Sequence, residues 1–532
     1  MSAGTAVGTD KLTKLISKRD RIILPIWAYA LIGSAASTAY SIKGLFPDEA
    51  ARKGFAQGIS ATSGVVALYG KVLNDSVGAI TAWRYAVLGA VLAAIMSTLL
   101  VVRHTRAEEQ SGRQELIAAG VVDRVAPLVS TLRMVIAVNV LAAVVIGAVF
   151  PFLGLPAAGA FALGFAVAGC GVFFTGLAAV SAQLFESSRT ANAFTLVLLA
   201  VFYLVRAIGD IGHSTAWLLW ASPLGWTEQV HAYAGDRWWV LAVPAVATAV
   251  LIAVALRLLD KRDYGAGVWP GRPGPRYAGP ATRGVYGLAW RLHRGTMIGW
   301  TIGLFAAALI LGSVANHVGV LTDSGRVRQI MADLGGTKNM SDAFVASVMG
   351  MFGIVTAVFT LTVITRARAE ESGGRIEPVL SQPPSRYSWL LSHTVFAVFG
   401  AAVILFAAGF GAGLAKGIGE HKVGRDLNSL LGAAFSQLPG VVLVAAIAVL
   451  VFAVLPGYTA AAWGLLGVFA FLSLFGPELK VSKYVLDLSP FTHAPKLPGT
   501  AVTVLPLVVM SAIAVASVVA SLAAFRERDL LA

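Results

Sequence analysis

Charge is what this chain has least of. Only 13% of its 532 residues are Asp, Glu, Lys or Arg, about half the share of a soluble domain. So little charge cannot coat a large soluble body, which excludes a cytosolic enzyme, a disordered protein and a nucleic-acid binder. Cysteine is scarcer still. Cys170 stands alone, so neither an intrachain disulfide nor a cysteine-based metal site is possible. Only eight histidines occur and none forms an H-x-x-x-H pair. Glu228 and His231 make an isolated pair that reads as solvated loop, so no metal ligand is expected. The phosphate-binding string G-x-x-x-x-G-K-[ST] is missing; Leu334 to Lys338 (LGGTK) lacks the spacing. A nucleophile elbow is not evident either, and no catalytic residue is assigned. No Asp or Glu falls in the middle of an apolar run, which counts against coupling to an ion. No small-residue cleavage site follows the basic N-terminus, so no cleaved signal peptide is expected.

Apolar residues are there in abundance, at 57% of the chain with a mean hydropathy of +0.76. They fall into twelve runs: Ile22–Ser41, Thr81–Val102, Val129–Phe150, Ala157–Ala182, Ala193–Ile208, Trp238–Leu258, Met297–Ala315, Ala343–Thr365, Ser388–Gly411, Leu430–Val454, Ala460–Phe475 and Ala501–Ala524. A span needs about 20 such residues, and its backbone must satisfy itself within the segment, which selects helices. The alternation of a membrane barrel is absent. The pattern predicts an all-α integral membrane protein of twelve transmembrane helices.

The net charge of +14 has a topological reading. Around the break between the sixth and seventh runs stand Arg257, Lys261, Arg262, Arg272, Arg276, Arg283, Arg291 and Arg294, against only Asp260 and Asp263. Lys and Arg mark cytoplasmic loops, so this break and, by parity, both termini are expected inside. Lys11, Lys14, Lys18, Arg19 and Arg21 at the start agree. The break is rich in Pro and Gly (VWPGRPGPRYAGP) and reads as a linker. The resulting division is 1–21 as an interfacial helix, 22–258 as one six-helix half, 259–294 as the linker and 295–532 as the second half. Leu12, Leu15 and Ile16 would form the apolar face of that first helix.

The chain repeats itself. RAEEQSGRQE begins at Arg106 after the second run, and RAEESGGRIE begins at Arg368 after the eighth. Arg106, Glu108, Glu109, Arg113 and Glu115 correspond to Arg368, Glu370, Glu371, Arg375 and Glu377, and Gly112 and Arg124 to Gly374 and Arg386. Trp27 opens the first run as Trp300 opens the seventh. Ser222-Pro223 and Ser489-Pro490 precede the last run of each half, and Arg262-Asp263 and Arg528-Asp529 follow it. Both halves therefore run in the same direction, as parallel repeats with a cleft expected between them. A plain charge run is usually a solvated face. Duplication at the same place in each half argues instead that these ten residues dock a paired partner. Trp27, Phe173, Phe174 and Trp300 are the aromatic residues assigned to a substrate path, against the plainer reading of packing. Arg206 lies near a run end, where snorkelling suffices, and has Asp210 four residues on. The polar, Trp-rich stretch Gly209 to Arg237 is read as interfacial or capping.

These features resemble the type-2 ABC exporter permeases. The fused form is similar to the polyketide-antibiotic exporter permeases of the tetronasin-resistance type, over essentially the whole chain. The resemblance implies that two copies of a separate ATPase subunit, carrying ATP and Mg, dock below a chain that holds no cofactor of its own. It implies that Glu108 to Glu115 and Glu370 to Glu377 lie on the coupling helices. It also implies export of hydrophobic or amphiphilic compounds, antibiotics among them, across the plasma (inner) membrane, with lipid as the remaining partner. The two loops differ, since Pro378-Val379 answers Leu116-Ile117 and Pro383-Pro384 replaces Val121-Val122. The alternative is a proton-coupled secondary multidrug antiporter, whose G-x-x-x-D-R-x-G-R-R loop is not found.

Overall fold

The computed structural model describes residues 7–46, 48–60, 63–118, 120, 122–212, 214–269, 276–277, 279, 284–315, 340–381, 383–475 and 481–529. Among these the secondary structure is helical; one isolated bridge pairs Phe185 with Trp269. The chain divides into two compact units, Met1–Gly274 and Pro275–Ala532, and the division falls in the Pro- and Gly-rich break.

The first unit holds α1 (Thr9–Arg19), α2 (Ile23–Leu45), α3 (Glu49–Ser60), α4 (Ser63–Tyr69), α5 (Val77–His104), α6 (Arg106–Gln110), α7 (Arg113–Ala118), α8 (Ala126–Phe152), α9 (Ala157–Leu184), α10 (Ser188–Ile211), α11 (Pro223–Gln229) and α12 (Ala242–Lys261). The second holds α13 (Gly284–Ala315), α14 (Met340–Ser372), α15 (Glu377–Leu380), α16 (Arg386–Glu420), α17 (Val423–Phe435), α18 (Leu438–Val454), α19 (Ala461–Phe475), α20 (Lys483–Leu486) and α21 (Val504–Glu527). Eleven helices among the described residues are long and apolar enough to cross a membrane, six in the first unit and five in the second. Among the described residues the run at Ala460–Phe475 forms the 15-residue α19, about 22 Å long at 1.5 Å per residue.

Which helices are central follows from burial. In the first unit α5 and α9 are inner, with 72% and 67% of their apolar windows buried, against 17% for α2 and 22% for α12. The outer helices show aliphatic side chains: Val504, Leu505, Val508, Val515 and Val519 are all exposed on α21. Such a stripe is untenable in water and at rest in lipid. The chain is a multi-pass, all-α membrane protein.

Several buried polar groups bond across helices, which offsets the cost of placing them in an apolar surrounding. The Tyr85 hydroxyl donates to the Leu31 carbonyl at 2.7 Å, tying α5 to α2, and Asn139 Nδ2 donates to Ser97 Oγ at 3.0 Å between α8 and α5. The two Ser-Pro pairs make the same bond. Ser222 Oγ donates to the Phe202 carbonyl at 2.8 Å, and Ser489 Oγ to the Phe469 carbonyl at 3.0 Å, each reaching back twenty residues. Proline then occupies the first turn of the short helix that follows, where its missing N–H costs nothing.

Helices α8 and α9 touch backbone to backbone. A Cβ on Gly164 would lie 2.5 Å from the Ala143 carbonyl oxygen, whereas one on Gly432 in α17 would meet nothing within 4 Å. Gly164→Ala should therefore lower stability by about 1–3 kcal/mol, the usual cost of overpacking. Gly432→Ala should be neutral or raise stability by up to about 1 kcal/mol through helix propensity. Thermal unfolding in detergent checks both.

Candidate functional site

The duplicated charged segments sit where α5 and α14 end. In the first unit α5 stops at His104, and Thr105 (φ −116°, ψ −83°) turns the chain before α6. Arg106 and Glu109, three apart, then share one face of α6. Gly112 follows at φ +72° and its counterpart Gly374 at φ +67°. That left-handed turn is disfavoured for any residue with a Cβ, and it lets the chain leave sharply while the paired charges stay inside.

Glu109 is held by two arginines. Arg106 Nη1 donates to its Oε2 at 2.5 Å, and Arg262, just past the end of α12, donates to Oε1 at 2.5 Å and to Oε2 at 2.9 Å. The Glu109 side chain is 4% exposed, and those of Arg106 and Arg262 are 0% and 3%. Guanidinium groups tolerate such burial only when their other N–H groups are satisfied. Here Arg106 also donates to the carbonyls of Glu186 (2.8 Å), Gly265 (2.7 Å) and Ala266 (3.1 Å). Arg262 donates through Nε to Gln183 Oε1 at 2.7 Å. Arg124 in turn donates to the Arg262 carbonyl.

The second unit repeats the clamp with its own residues. Arg368 donates to Glu371 Oε2 at 3.2 Å, and Arg528, just past α21, donates to Oε1. Glu371 is fully buried. Arg386 donates to the Arg528 carbonyl at 2.7 Å, as Arg124 does to that of Arg262. The surroundings differ. Arg528 bonds the Phe452 carbonyl at 2.7 Å and lies over the rings of Phe452 and Phe525, while Arg368 is 23% exposed. In each unit, then, the loop after the second long helix is bolted to the end of the last.

Glu108 and Glu370 are each 13% exposed and lie beneath the outward-facing arginines. Glu108 pairs with Arg19 of α1 at 2.6 Å and with Arg113 at 3.8 Å, and Glu370 pairs with Arg375 at 2.8 Å and with Arg366 at 3.8 Å. The side chains of Arg113 and Arg375 are each 60% exposed, and Glu115 and Glu377 are exposed. The ten residues read from the sequence as one docking surface thus divide. Glu109, Glu371 and Arg106 are buried and cannot touch a partner, whereas Arg113, Glu115, Arg375 and Glu377 can. Clamps of this kind hold position. Among the described residues no group of three or more His, Cys, Asp or Glu could bind a metal.

The aromatic residues assigned to a substrate path are packed within their units. Phe174 is fully buried and Phe173 nearly so, in edge contact with Phe202, and Phe173 also meets Trp226 at 5.4 Å. Trp27 lies half-buried against the first unit's core and Trp300 against the second's. Two expectations are corrected. Arg206 does not snorkel: it is wholly buried, 2.8 Å from Glu228 Oε1 and 3.5 Å from Asp210 Oδ2. Glu228 is accordingly no solvated partner of His231. On α1, Leu12 is buried and Leu15 is 57% exposed.

The sequence reading missed the role of Arg262 and Arg528 as clamp partners, although their repetition as Arg-Asp pairs was the signal for it. It also missed Asp20, which is buried against His104 Nε2 at 2.5 Å and joins the α1–α2 turn to the end of α5. Nothing local links residues 84 apart.

Comparison with known proteins places this architecture. The model of the family described as multidrug efflux system permease Rv1217c, C-terminal domain, matches residues 16–258 and 283–526. The chain belongs to this multidrug efflux permease family. It is 41% identical over 530 residues to the multidrug efflux system permease protein Rv1217c of Mycobacterium tuberculosis (strain ATCC 25618 / H37Rv), covering 98% of this chain and 95% of that protein. The matched stretches carry both charged loops, end before Arg262 and Arg528, and omit the Pro- and Gly-rich core of the break. Membership points to a transport component rather than an enzyme.

Removing the glutamate leaves two buried cations unpaired. Glu109→Ala should cost about 3–5 kcal/mol, and Glu115→Ala, on the surface, should stay within about 0.5 kcal/mol of wild type. Thermal unfolding of the purified variants measures the difference.

Proposed function

We propose that the chain is the membrane-spanning permease of an ATP-driven exporter for hydrophobic or amphiphilic compounds. Two copies of a separate ATPase would dock on the two charged loops, at the cytoplasmic face. The observation that carries this reading is the clamp's occurrence once in each unit, built from matching residues. A single ion cluster needs no explanation beyond stability. Two equivalent ones, each fixing a surface loop to the end of a long helix, suit a partner that arrives as a pair and pushes in two places. On this reading Arg113, Glu115, Arg375 and Glu377 form the contact, and Glu109 and Glu371 carry the displacement inward to α12 and α21. Movement of packed helices against one another would then alternate access to a cleft. The name of the Mycobacterium tuberculosis relative, a permease within an efflux system, supports partner components and a small-molecule substrate.

The buried carboxylates Asp210 and Glu228 are the one observation favouring the proton-coupled alternative. They lie at the end of a long helix, and that position suits it poorly.

Purifying the chain with its gene neighbours tests the docking directly. The expected outcome is two ATPase chains per permease and vanadate-sensitive ATP hydrolysis. Reversing all four exposed charges (Arg113→Glu, Glu115→Lys, Arg375→Glu, Glu377→Lys) should cut co-purified ATPase at least about tenfold, since like charges facing each other cost several kcal/mol. The variant permease should stay folded. A chain that elutes alone, and transport that survives ATP depletion but collapses with the proton gradient, would favour the alternative.

A further inference from the structure

The first unit holds a second charged site at the far end of α10. The Ser188 N–H at the start of α10 bonds Gln110 beside the clamp. Asp210 lies twenty-two residues further on, about 33 Å away along the helix. Between α5, α10, α11 and the segment after α4 lies a cavity of about 260 Å³ whose walls include Tyr69, Lys71, Trp83, Asp210, Glu228 and His231.

Two carboxylates meet there with one buried guanidinium between them. Arg206 donates to Glu228 Oε1 at 2.8 Å, to the Leu68 carbonyl at 3.1 Å and to the Ala67 carbonyl, with the Tyr203 ring 4.7 Å from its centre. Gly70, at φ +84°, leaves room for the Glu228 carboxylate, which a Cβ there would meet at 2.8 Å. Asp210 is 2% exposed, and its Oδ2 accepts no hydrogen bond among the described residues. Both carboxylates lie against the same guanidinium, Glu228 at 2.8 Å and Asp210 at 3.5 Å. Two buried carboxylates cannot both carry full charge against a single cation, so the pair holds a shared proton.

The cavity described in the second unit is lined differently. The second unit has a cavity of about 200 Å³ against α14 and the segment after Ser489-Pro490. Gln437, Ser473, Thr492 and Lys496 line it, and among the described residues no carboxylate does. Once its proton is gone, the pair outweighs Arg206 by one negative charge beside the rings of Tyr69 and Trp83, and rings with carboxylates are the surroundings that attract an organic cation.

We propose that this cavity binds a small organic cation, an ammonium group carrying an apolar substituent, which takes the place of the proton shared by Asp210 and Glu228. One cation enters and one proton leaves, and no covalent bond to carbon changes. The charged and titratable groups around the pair are Arg206 and Tyr203 on α10, Tyr69 with Arg84 stacked on it, Lys71 at the mouth and His231 after α11. Burial holds the Glu228 carboxyl above the ordinary carboxylate range, with Arg206 opposing. Burial and Arg237 hold His231 below its usual value, so it adds little positive charge near neutrality. The sign follows. While the pair keeps its proton, cation binding must expel it, so affinity rises with pH and levels off once the proton is gone.

Calorimetry on the purified full-length chain with benzyltrimethylammonium tests this, because that ligand's charge does not titrate. Saturable binding is expected, with about one proton released per ligand below the plateau, read from buffers of different ionisation heat. Affinity should then rise by up to about tenfold per pH unit. Asp210→Asn should bind at least tenfold more weakly and release no proton. If that variant does not fold, Lys71→Ala decides: losing an exposed positive charge at the mouth should tighten binding several-fold. Absence of saturable binding, pH-independent affinity, or unchanged binding in Lys71→Ala would overturn the proposal. The measurement uses neither ATP nor a second subunit, so its failure leaves the docking reading untouched.

Discussion

A buried carboxylate held between two guanidinium groups is the constraint on which each unit depends. Glu109 sits just past the end of α5 and Glu371 in the last turn of α14, where the chain must turn. Each draws in one arginine from its own loop and one from the end of the unit's last long helix. An ion cluster this deep is tolerated only when every partner is present, which makes it sensitive to the placement of all of them. Hydrophobic packing between smooth helices is permissive about sliding and rotation. The clamp is not, and it fixes the first charged loop to α12 and the second to α21 at one distance and one orientation.

Most of the fold was legible in the sequence, because membrane spans are written in long apolar runs. The helices generally exceed those runs by a few residues at each end: Thr81–Val102 became Val77–His104, and Ala193–Ile208 became Ser188–Ile211. Helix continues into charged flanks that hydropathy discounts. Ala460–Phe475 is helical over the 15 residues of α19 among those described. The repeat was legible in individual positions: Arg106 and Arg368, Arg124 and Arg386, Ser222 and Ser489 make matching bonds in their own units. What could not be read was direction. Arg106, Glu108, Glu109 and Arg113 look alike in a string of charges, yet Glu109 points into the unit and Arg113 out of it. Long-range pairs such as Asp20 with His104, or Arg206 with Glu228, leave no local trace at all.

The two units share a scaffold and differ in what it carries. The first clamp is completed by the carbonyls of Glu186, Gly265 and Ala266, the second by the rings of Phe452 and Phe525. Among the described residues the far cavity of the first unit holds the Asp210–Glu228 pair, whereas the second unit gathers Asp342, Glu420 and Asp426 around Lys416. Duplication thus supplied two sets of equivalent fixtures, and divergence gave each unit a different further charged site. In the proposed exporter this separates the tasks: clamps pass movement from the loops to the helices, and the exposed charges around them select the partner.

That division is open to one direct measurement. Glu109→Gln and Glu371→Gln keep the shape of the clamp and remove its charge, and both lie beneath the exposed surface. Reconstituted with the ATPase, a folded double variant should still bind it and hydrolyse ATP. Transport of a hydrophobic substrate should fall at least about tenfold, equivalent to 1.4 kcal/mol. Transport at the wild-type rate in that folded, ATPase-bound variant would contradict the account, and would leave the clamps as supports for the fold alone.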